Sequence, residues 1–202
     1  ILSDGENKYR SILDRYYKYN SNIYENIHTL KQQINGSNDI EKLKRKVNQL
    51  ERDITLFHAE VFKDISKNHN IDFIGFHGQT IFHSAKEKIS RQLGDGNLLS
   101  QLTNKKVIYN FRNNDLKNGG QGAPLTPIFH KLLKNKHNIQ LPLIILNIGG
   151  IANITSINLD NKIYSCDIGP GNCLIDLWLR SNSNKKYDKN GLLAKSGKVN
   201  KI

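Results

Sequence analysis

Eight apolar positions, Ile40, Leu43, Val47, Leu50, Ile54, Phe57, Val61 and Ile65, are spaced by three and four without a break. That spacing puts them on one stripe of a long amphipathic helix, opened by Asn38 with Glu41 three residues on, in the manner of a capping box. Such a stripe has to be covered. It suits a short coiled coil, which keeps a helical interaction module among the readings. The residues that follow favour core packing instead, because β-branched and aromatic runs come at once, at 71–76, 106–111 and 143–148. Strands alternating with helices indicate an α/β fold.

The remaining segments fill in this outline. A Tyr-rich stretch over 10–19 reads as a strand, and Ser21 or Asn22 caps a helix that runs through Ile27 and Leu30 to about Ile34, stopped by Asn35-Gly36. A polar, Gly-rich loop is expected over 113–122, then a helix from about Pro124 through Phe129 and Leu133. From Leu143 the pattern changes to short strands at 143–148, 153–159 and 162–167, a meander with Asp160-Asn161 as a tight turn. Gly169-Pro170-Gly171-Asn172 then leads into a helix carrying Leu174, Ile175, Leu177, Trp178 and Leu179. We place a domain boundary near Leu141, giving a first domain over 1–141 and the beginning of a second over 142–202.

Composition narrows the function classes. Lys and Arg number 30 against 18 Asp and Glu, a formal charge of +12, which ordinarily raises nucleic acid or an anionic membrane as a partner. The lysines are scattered and Asn, Ile and Lys are abundant together, so the charge reads as a general solvated surface, with no nucleic-acid or membrane partner expected. No apolar run approaches the roughly 18 residues needed to span a bilayer. Methionine is absent and residue 1 is Ile, so an internal piece of a longer chain is expected. Cys166 and Cys173 have neither Cys-x-x-Cys spacing nor a second pair, so two buried thiols in a reducing cytoplasm are expected. His77 and His83 are six apart with no His-Glu-x-x-His, and no metal ligation by histidine is expected.

Four segments gather Gly, Asn, Gln, His and Asp at the ends of apolar strands, where backbone amides and polar side chains meet a ligand: 77–80, 115–124, 147–153 and 167–172. Gly149-Gly150 allows a tight turn and close approach of backbone N–H groups to a phosphate; an ordinary hairpin turn is the plainer alternative. Asp167 stands where a strand leads to a helix, a carboxylate beside the positive end of a helix dipole and available as a base, or simply a turn-stabilising Asp. Gly119-Gly120-Gln121-Gly122 precedes a helix without the Lys of a P-loop.

In this order, Gly75-Phe-His-Gly-Gln-Thr80, Gln92-Leu-Gly-Asp-Gly96, Asn110-Phe-Arg112, Asp115, Gly119-Gly-Gln-Gly-Ala-Pro-Leu125, Leu146-Asn-Ile-Gly-Gly-Ile-Ala-Asn153, Asp167-Ile-Gly-Pro-Gly-Asn172, Asp176-Leu-Trp178 and Tyr187-Asp-Lys-Asn-Gly191 resemble the anhydro-N-acetylmuramic acid kinase family. The resemblance covers about 54–197. It implies an actin/hexokinase-like fold of two α/β domains with ATP and substrate in the cleft between them. It also implies a cytoplasmic enzyme of cell-wall recycling, a homodimer in its full length. With ATP and Mg²⁺ such an enzyme adds water across the anhydro bond of 1,6-anhydro-N-acetylmuramic acid and phosphorylates O6.

Asp167 matches the family's catalytic Asp. His77, Gln79, Thr80, Arg112, Asp115, Gly120, Gln121 and Asn172 are expected on the sugar side; Asn147, Gly149, Gly150 and Asn153 match a phosphate-contacting turn for ATP. Asn110 stands where the family commonly has Asp. The family's opening phosphate loop, expected before Ile1, and its adenosine-binding glycines, expected after about Ile202, imply truncation at both ends. The expectation is a chain inactive by itself, with the apolar side of its later strands exposed near Ile148 and Ile154. Another sugar kinase of the same superfamily is the alternative; it need not keep 119–124.

Overall fold

The computed structural model describes residues 1–4 and 8–199. Gly5 and Glu6 of the opening segment, and residues 200–202 of the expected second domain, lie outside the described residues. In chain order the elements are β1 (Leu2–Ser3), β2 (Tyr9–Arg10), α1 (Ser21–Gln33), α2 (Ser37–Lys42), α3 (Lys44–Ser66), β3 (Phe73–Phe76), β4 (Gln79–Ser84), β5 (Ile89–Leu93) and α4 (Gly96–Thr103). They continue with β6 (Lys106–Tyr109), α5 (Phe111–Lys117), α6 (Pro127–Lys136), β7 (Leu143–Ile148), β8 (Ile151–Ile157), β9 (Ile163–Pro170), α7 (Cys173–Asn182) and, after a 3-10 turn at Lys189–Gly191, α8 (Leu192–Ser196). This is a mixed α/β chain. Among the described residues no helix is long and apolar enough to cross a membrane.

The chain divides into two compact units, Ser11–Ala123 and Ile1–Arg10 with Pro124–Ile202. The expected boundary near Leu141 differs from this division. Helix α6 groups with the later strands because it packs on β8 and β9, where the His130 imidazole Nδ1 lies 2.8 Å from the Thr155 hydroxyl.

In the Ser11–Ala123 unit the amphipathic stripe is buried as the spacing requires. Val47, Leu50 and Ile54 of α3 meet Ile23, Ile27 and Leu30 of α1, with Phe76, Ile81, Leu93 and Leu99 completing the core. The stripe is thus spent inside the unit and is not a free coiled-coil face. Helix α1 begins one residue from the expected cap, with the Asn20 side chain accepting the Ile23 N–H at 2.9 Å. The expected single helix from Asn38 is instead α2 and α3, divided at Leu43, whose φ −97° and ψ 11° leave the helical region. Asp39 in place of Glu41 makes the capping contact, accepting the Asn35 and Gly36 N–H groups at 3.1 and 3.2 Å.

Two other expectations change in this unit or at its edge. Of the 10–19 strand only Arg10 is in a strand, in β2, because the Tyr side chains pack sideways on α3: Tyr17 donates to Asp64 at 2.7 Å and the Tyr19 ring lies 4.7 Å from Phe57. The first half of the 113–122 loop is helical in α5, anchored by the buried Leu116.

Glu51 ties α3 to the hairpin end. It holds Arg91 through two bonds of 2.9 and 2.8 Å and accepts the Gly94 N–H at 3.1 Å. Asp95 caps α4, accepting from Asn97 and Leu98 at 2.9 Å. The Gln92–Gly96 motif is therefore scaffold around these turns. β3 and β6 pair in parallel, β4 and β5 antiparallel.

The other unit is the expected meander, β7-β8-β9, antiparallel. Its register puts Asn147, Asn153, Thr155, Ile157 and Asp167 on the face that α6 covers, and Ile144, Leu146, Ile148, Ile154 and Cys166 on the opposite one. That opposite face is open: Ile144 is 66% exposed and Ile148 58%, whereas Ile154 is half-buried. Cys166 is exposed and Cys173 half-buried, both free, which corrects the expectation of two buried thiols; Cys166 sits opposite Ile154 on the uncovered face. At the start of the chain, the Tyr9 ring lies 5.2 Å from Phe129 and 4.2 Å under the Lys136 ammonium.

Candidate functional site

The carboxyl ends of a parallel strand pair are where α/β folds gather ligands, and β3 and β6 end side by side, Phe76 opposite Tyr109. His77 follows the first strand and Arg112 lies in the first turn of α5 after the second. The His77 Nδ1–H donates to the Gly78 carbonyl at 2.9 Å, which leaves Nε2 to accept from Arg112 Nε at 3.1 Å. Arg112 Nη1 reaches on to the Gly122 carbonyl at 3.0 Å, and Asp115 accepts the Gly122 N–H at 2.7 Å. Burial lowers the Arg112 pKa from its ordinary value.

The loop is folded tightly over this pair. Gly120 N–H bonds the Asp115 carbonyl at 2.9 Å, and the Asp115 carboxylate lies against the Gly120 α-carbon. Gly122 adopts φ +70°, and a Cβ there would sit 2.8 Å from Leu116, so a side chain is excluded on both conformational and steric grounds. Of the residues expected on the sugar side, His77, Arg112, Asp115, Gly120 and Gln121 are thus in one constellation. Arg112 and Asp115 spend their strongest contacts on the loop itself. Gln79 and Thr80 belong to β4, where the Gln79 amide donates to the Thr80 carbonyl at 3.3 Å and Thr80 Oγ1 accepts from Gln92 at 3.3 Å. His83, Ser90 and Gln92 were not expected in the site. Their signal was alternation of polar residues on paired strands, legible only once the register is known. His77 and His83 take different partners, Arg112 and Ser90.

A second constellation lies in the meander. Asn147 is opposite Asn153, and Asn153 is opposite Asp167, so the three side chains form one row across the sheet at the spacing of direct cross-strand neighbours. Asp167 is not at the strand end as expected; β9 runs on to Pro170. The ladder shifts register between Ala152 and Asn153, leaving Ile168 as the extra residue beside Asp167. Such a bulge re-aims the side chains next to it. The carboxylate is exposed.

The row abuts the Gly149-Gly150 turn, which is stapled to the start of α7. Gly171 N–H donates to Gly150 at 2.9 Å, Asn172 N–H to Gly149 at 2.7 Å and Cys173 N–H to Gly150 at 3.1 Å. A Cβ on Gly171 would collide with the Gly149 carbonyl, so only glycine lets the turn and helix approach this closely. Asn172, expected to contact sugar, also reaches the Ile148 carbonyl with its amide at 3.4 Å. The turn itself is open: nothing but Ile151 O and Asn147 Nδ2 lies within 4 Å of a Cβ built on Gly149. The arrangement presents one carboxylate, two carboxamides and an unshielded backbone turn.

Comparison with known proteins bears on the family of the chain. The family model described as anhydro-N-acetylmuramic acid kinase matches residues 2–202. A protein of Pelagibacter ubique (strain HTCC1062) named anhydro-N-acetylmuramic acid kinase is 53% identical over 206 aligned positions, covering 100% of this chain and 55% of the relative. Proteins of the same name from Paramagnetospirillum magneticum and Brucella canis are 43% and 42% identical, covering 77% and 76% of this chain and 45% and 43% of the relatives. The chain spans about half the length of the curated relatives it matches. With a family model matched along nearly its whole length, this chain belongs to the anhydro-N-acetylmuramic acid kinase family.

Proposed function

We propose that the full-length protein carrying this chain is an ATP-dependent kinase that converts 1,6-anhydro-N-acetylmuramic acid to N-acetylmuramic acid 6-phosphate, on an actin/hexokinase-like fold of two domains. The sugar side is read as His77, Gln79, Thr80, Arg112, Asp115, Gly120, Gln121 and Asn172. Asn147, Gly149, Gly150 and Asn153 receive the phosphates of ATP. The observation that carries the reading is the row Asn147–Asn153–Asp167 beside the Gly149-Gly150 turn, a base adjacent to a turn whose backbone a phosphate can approach.

In this reading the Asp167 carboxylate takes a proton from water as the water oxygen bonds to the anomeric carbon. The bond from that carbon to O6 breaks, O6 becomes the nucleophile towards the γ-phosphorus, and ADP leaves. Mg²⁺, when bound with ATP, neutralises charge on the phosphates. It would be held chiefly through phosphate oxygens and water, since among the described residues no three His, Cys, Asp or Glu side chains gather to hold a metal ion and Asp167 is the base. The donor row and the loop gripped by Arg112 and Asp115 act by positioning, which dominates catalysis of phosphoryl transfer. The same reading includes a cytoplasmic location, ATP and an amino sugar as partners, and a homodimer.

The test is turnover by the full-length protein with ATP, Mg²⁺ and the anhydro sugar, the 6-phosphate product read by mass. Asp167→Asn should lower kcat by about 10²–10⁴-fold, the usual contribution of a general base. Turnover retained by that variant removes Asp167 as the base. Phosphorylation of a reducing sugar, with the anhydro sugar untouched, replaces the reading with another sugar kinase of the same superfamily.

A further inference from the structure

The β4–β5 hairpin holds a chain of polar groups that the proposed chemistry does not use. Thr80 is opposite Gln92 and His83 opposite Ser90. Ser90 and Gln92 are both buried. The Gln92 amide donates to Ser90 Oγ at 2.8 Å and to Thr80 Oγ1 at 3.3 Å, and Ser90 Oγ lies 3.0 Å from His83 Nδ1. The Ser90 hydroxyl, one donor with two acceptor lone pairs, can serve both the Gln92 amide and the His83 ring at once.

The far side of the ring meets the loop of the sugar-side constellation. His83 Cε1 would lie 3.1 Å from a Cβ on Gly122, so the ring edge is packed against that α-carbon. Burial, helped by the Arg112 charge, lowers the His83 pKa against the opposing influence of the Gln121 backbone, in keeping with a neutral ring. Gly122 is therefore held on three sides: its N–H by Asp115, its carbonyl by Arg112, and its α-carbon by His83 and Leu116. Asp115 and Arg112 stand on α5; His83 connects the loop to the hairpin that carries Thr80.

We propose that His83 is a positioning residue for the sugar subsite, linking the buried Thr80–Gln92–Ser90 network to the Gly119–Gly122 loop and fixing where Gly120 and Gln121 present themselves, without touching substrate. The inference rests on the assignment of that loop to the sugar side.

The experiment is steady-state kinetics of full-length enzyme and variants, varying the anhydro sugar and ATP separately, together with hydrogen exchange of the loop amides. His83→Ala should raise KM for the sugar about tenfold, the loss expected from one hydrogen bond in a well-ordered site, with KM for ATP within about twofold. His83→Gln, which keeps a donor and an acceptor, should recover most of that loss. Ser90→Ala, a milder change should His83→Ala fail to fold, should raise KM for the sugar by a few-fold. In both His83→Ala and Ser90→Ala the Gly120 and Gly122 amides, bonded to Asp115, should exchange faster than in the parent. An unchanged sugar KM, or equal rises in both KM values, overturns the proposal. Unchanged exchange overturns it independently of turnover, and a parent enzyme that leaves the sugar intact while exchange responds marks failure of the functional reading alone.

Discussion

The two units obey the same rule for apolar strands and helices, yet one buries its main apolar stripe and the other leaves half a sheet bare. In Ser11–Ala123 the long helical stripe finds a partner: α3 packs on α1, and Phe76, Ile81 and Leu93 close the core beneath them, with Phe73 and Ile108 of the two-stranded β3–β6 pair left exposed. In the meander, β7 is apolar on both faces, the pattern of a strand covered from both sides. Only one face is covered, by α6; Ile144, Leu146 and Ile148 on the other are more than half exposed. Secondary structure alone does not make a core. The residues forming a strand and the residues covering it are separate requirements, and the first is met here without the second.

Matched truncations test that contrast most strongly. Ile54→Ala, at a site with no exposed surface, should cost about 2–5 kcal/mol, whereas Ile144→Ala should change stability by no more than about 0.5 kcal/mol in this chain. Native-state hydrogen exchange reads each unit separately. A loss at Ile144 in the full-length protein as large as that at Ile54 would show the bare face to be covered there.

A subtler difference should appear with pH. His58 sits among Tyr19, Phe57 and Phe76 with Nδ1 2.8 Å from the Ile54 carbonyl, and burial lowers its pKa more than that bond raises it. A histidine whose folded pKa lies below the unfolded value of about 6.5 binds a proton more readily when unfolded. Its contribution to stability is therefore complete above that value and is lost as pH falls below it. Corrected for the intrinsic exchange rate, which itself falls with pH, the opening free energy of the Ser11–Ala123 unit should decline as pH falls below about 6.5, and His58→Phe should flatten this component. The smallest thermodynamic effect belongs to the bare face: Leu146→Ser should leave stability within about 0.5 kcal/mol, while sedimentation shows less self-association of the chain.

Periodicity made the elements legible. The spacing of Val47, Leu50 and Ile54 identified α3, and the β7 run was read with its observed bounds. The strand-end polar segments were also visible, because ligand-facing turns need glycine and carboxamides whatever surrounds them. Local chemistry competed elsewhere. Tyr17 and Tyr19 suit a strand by propensity, but their rings and hydroxyls found Asp64 and Phe57 on α3. Asp39, not Glu41, made the cap, since its shorter side chain reaches the Asn35 and Gly36 amides.

What the sequence determined by itself was the α/β alternation and the strand-flanking segments rich in glycine, Asn and Asp, because both follow from short-range spacing: three to four for helices, two for strands, glycine where backbone must come close. Tertiary structure decided the rest. It placed Asp167 inside β9 in a row with Asn147 and Asn153, turned Arg112 and Asp115 inward onto Gly122, and brought His83 to the same loop. These depend on strand register and on contacts between residues far apart in the chain, and one residue of slip in β4 or β9 would send His83 or Asp167 to the opposite face.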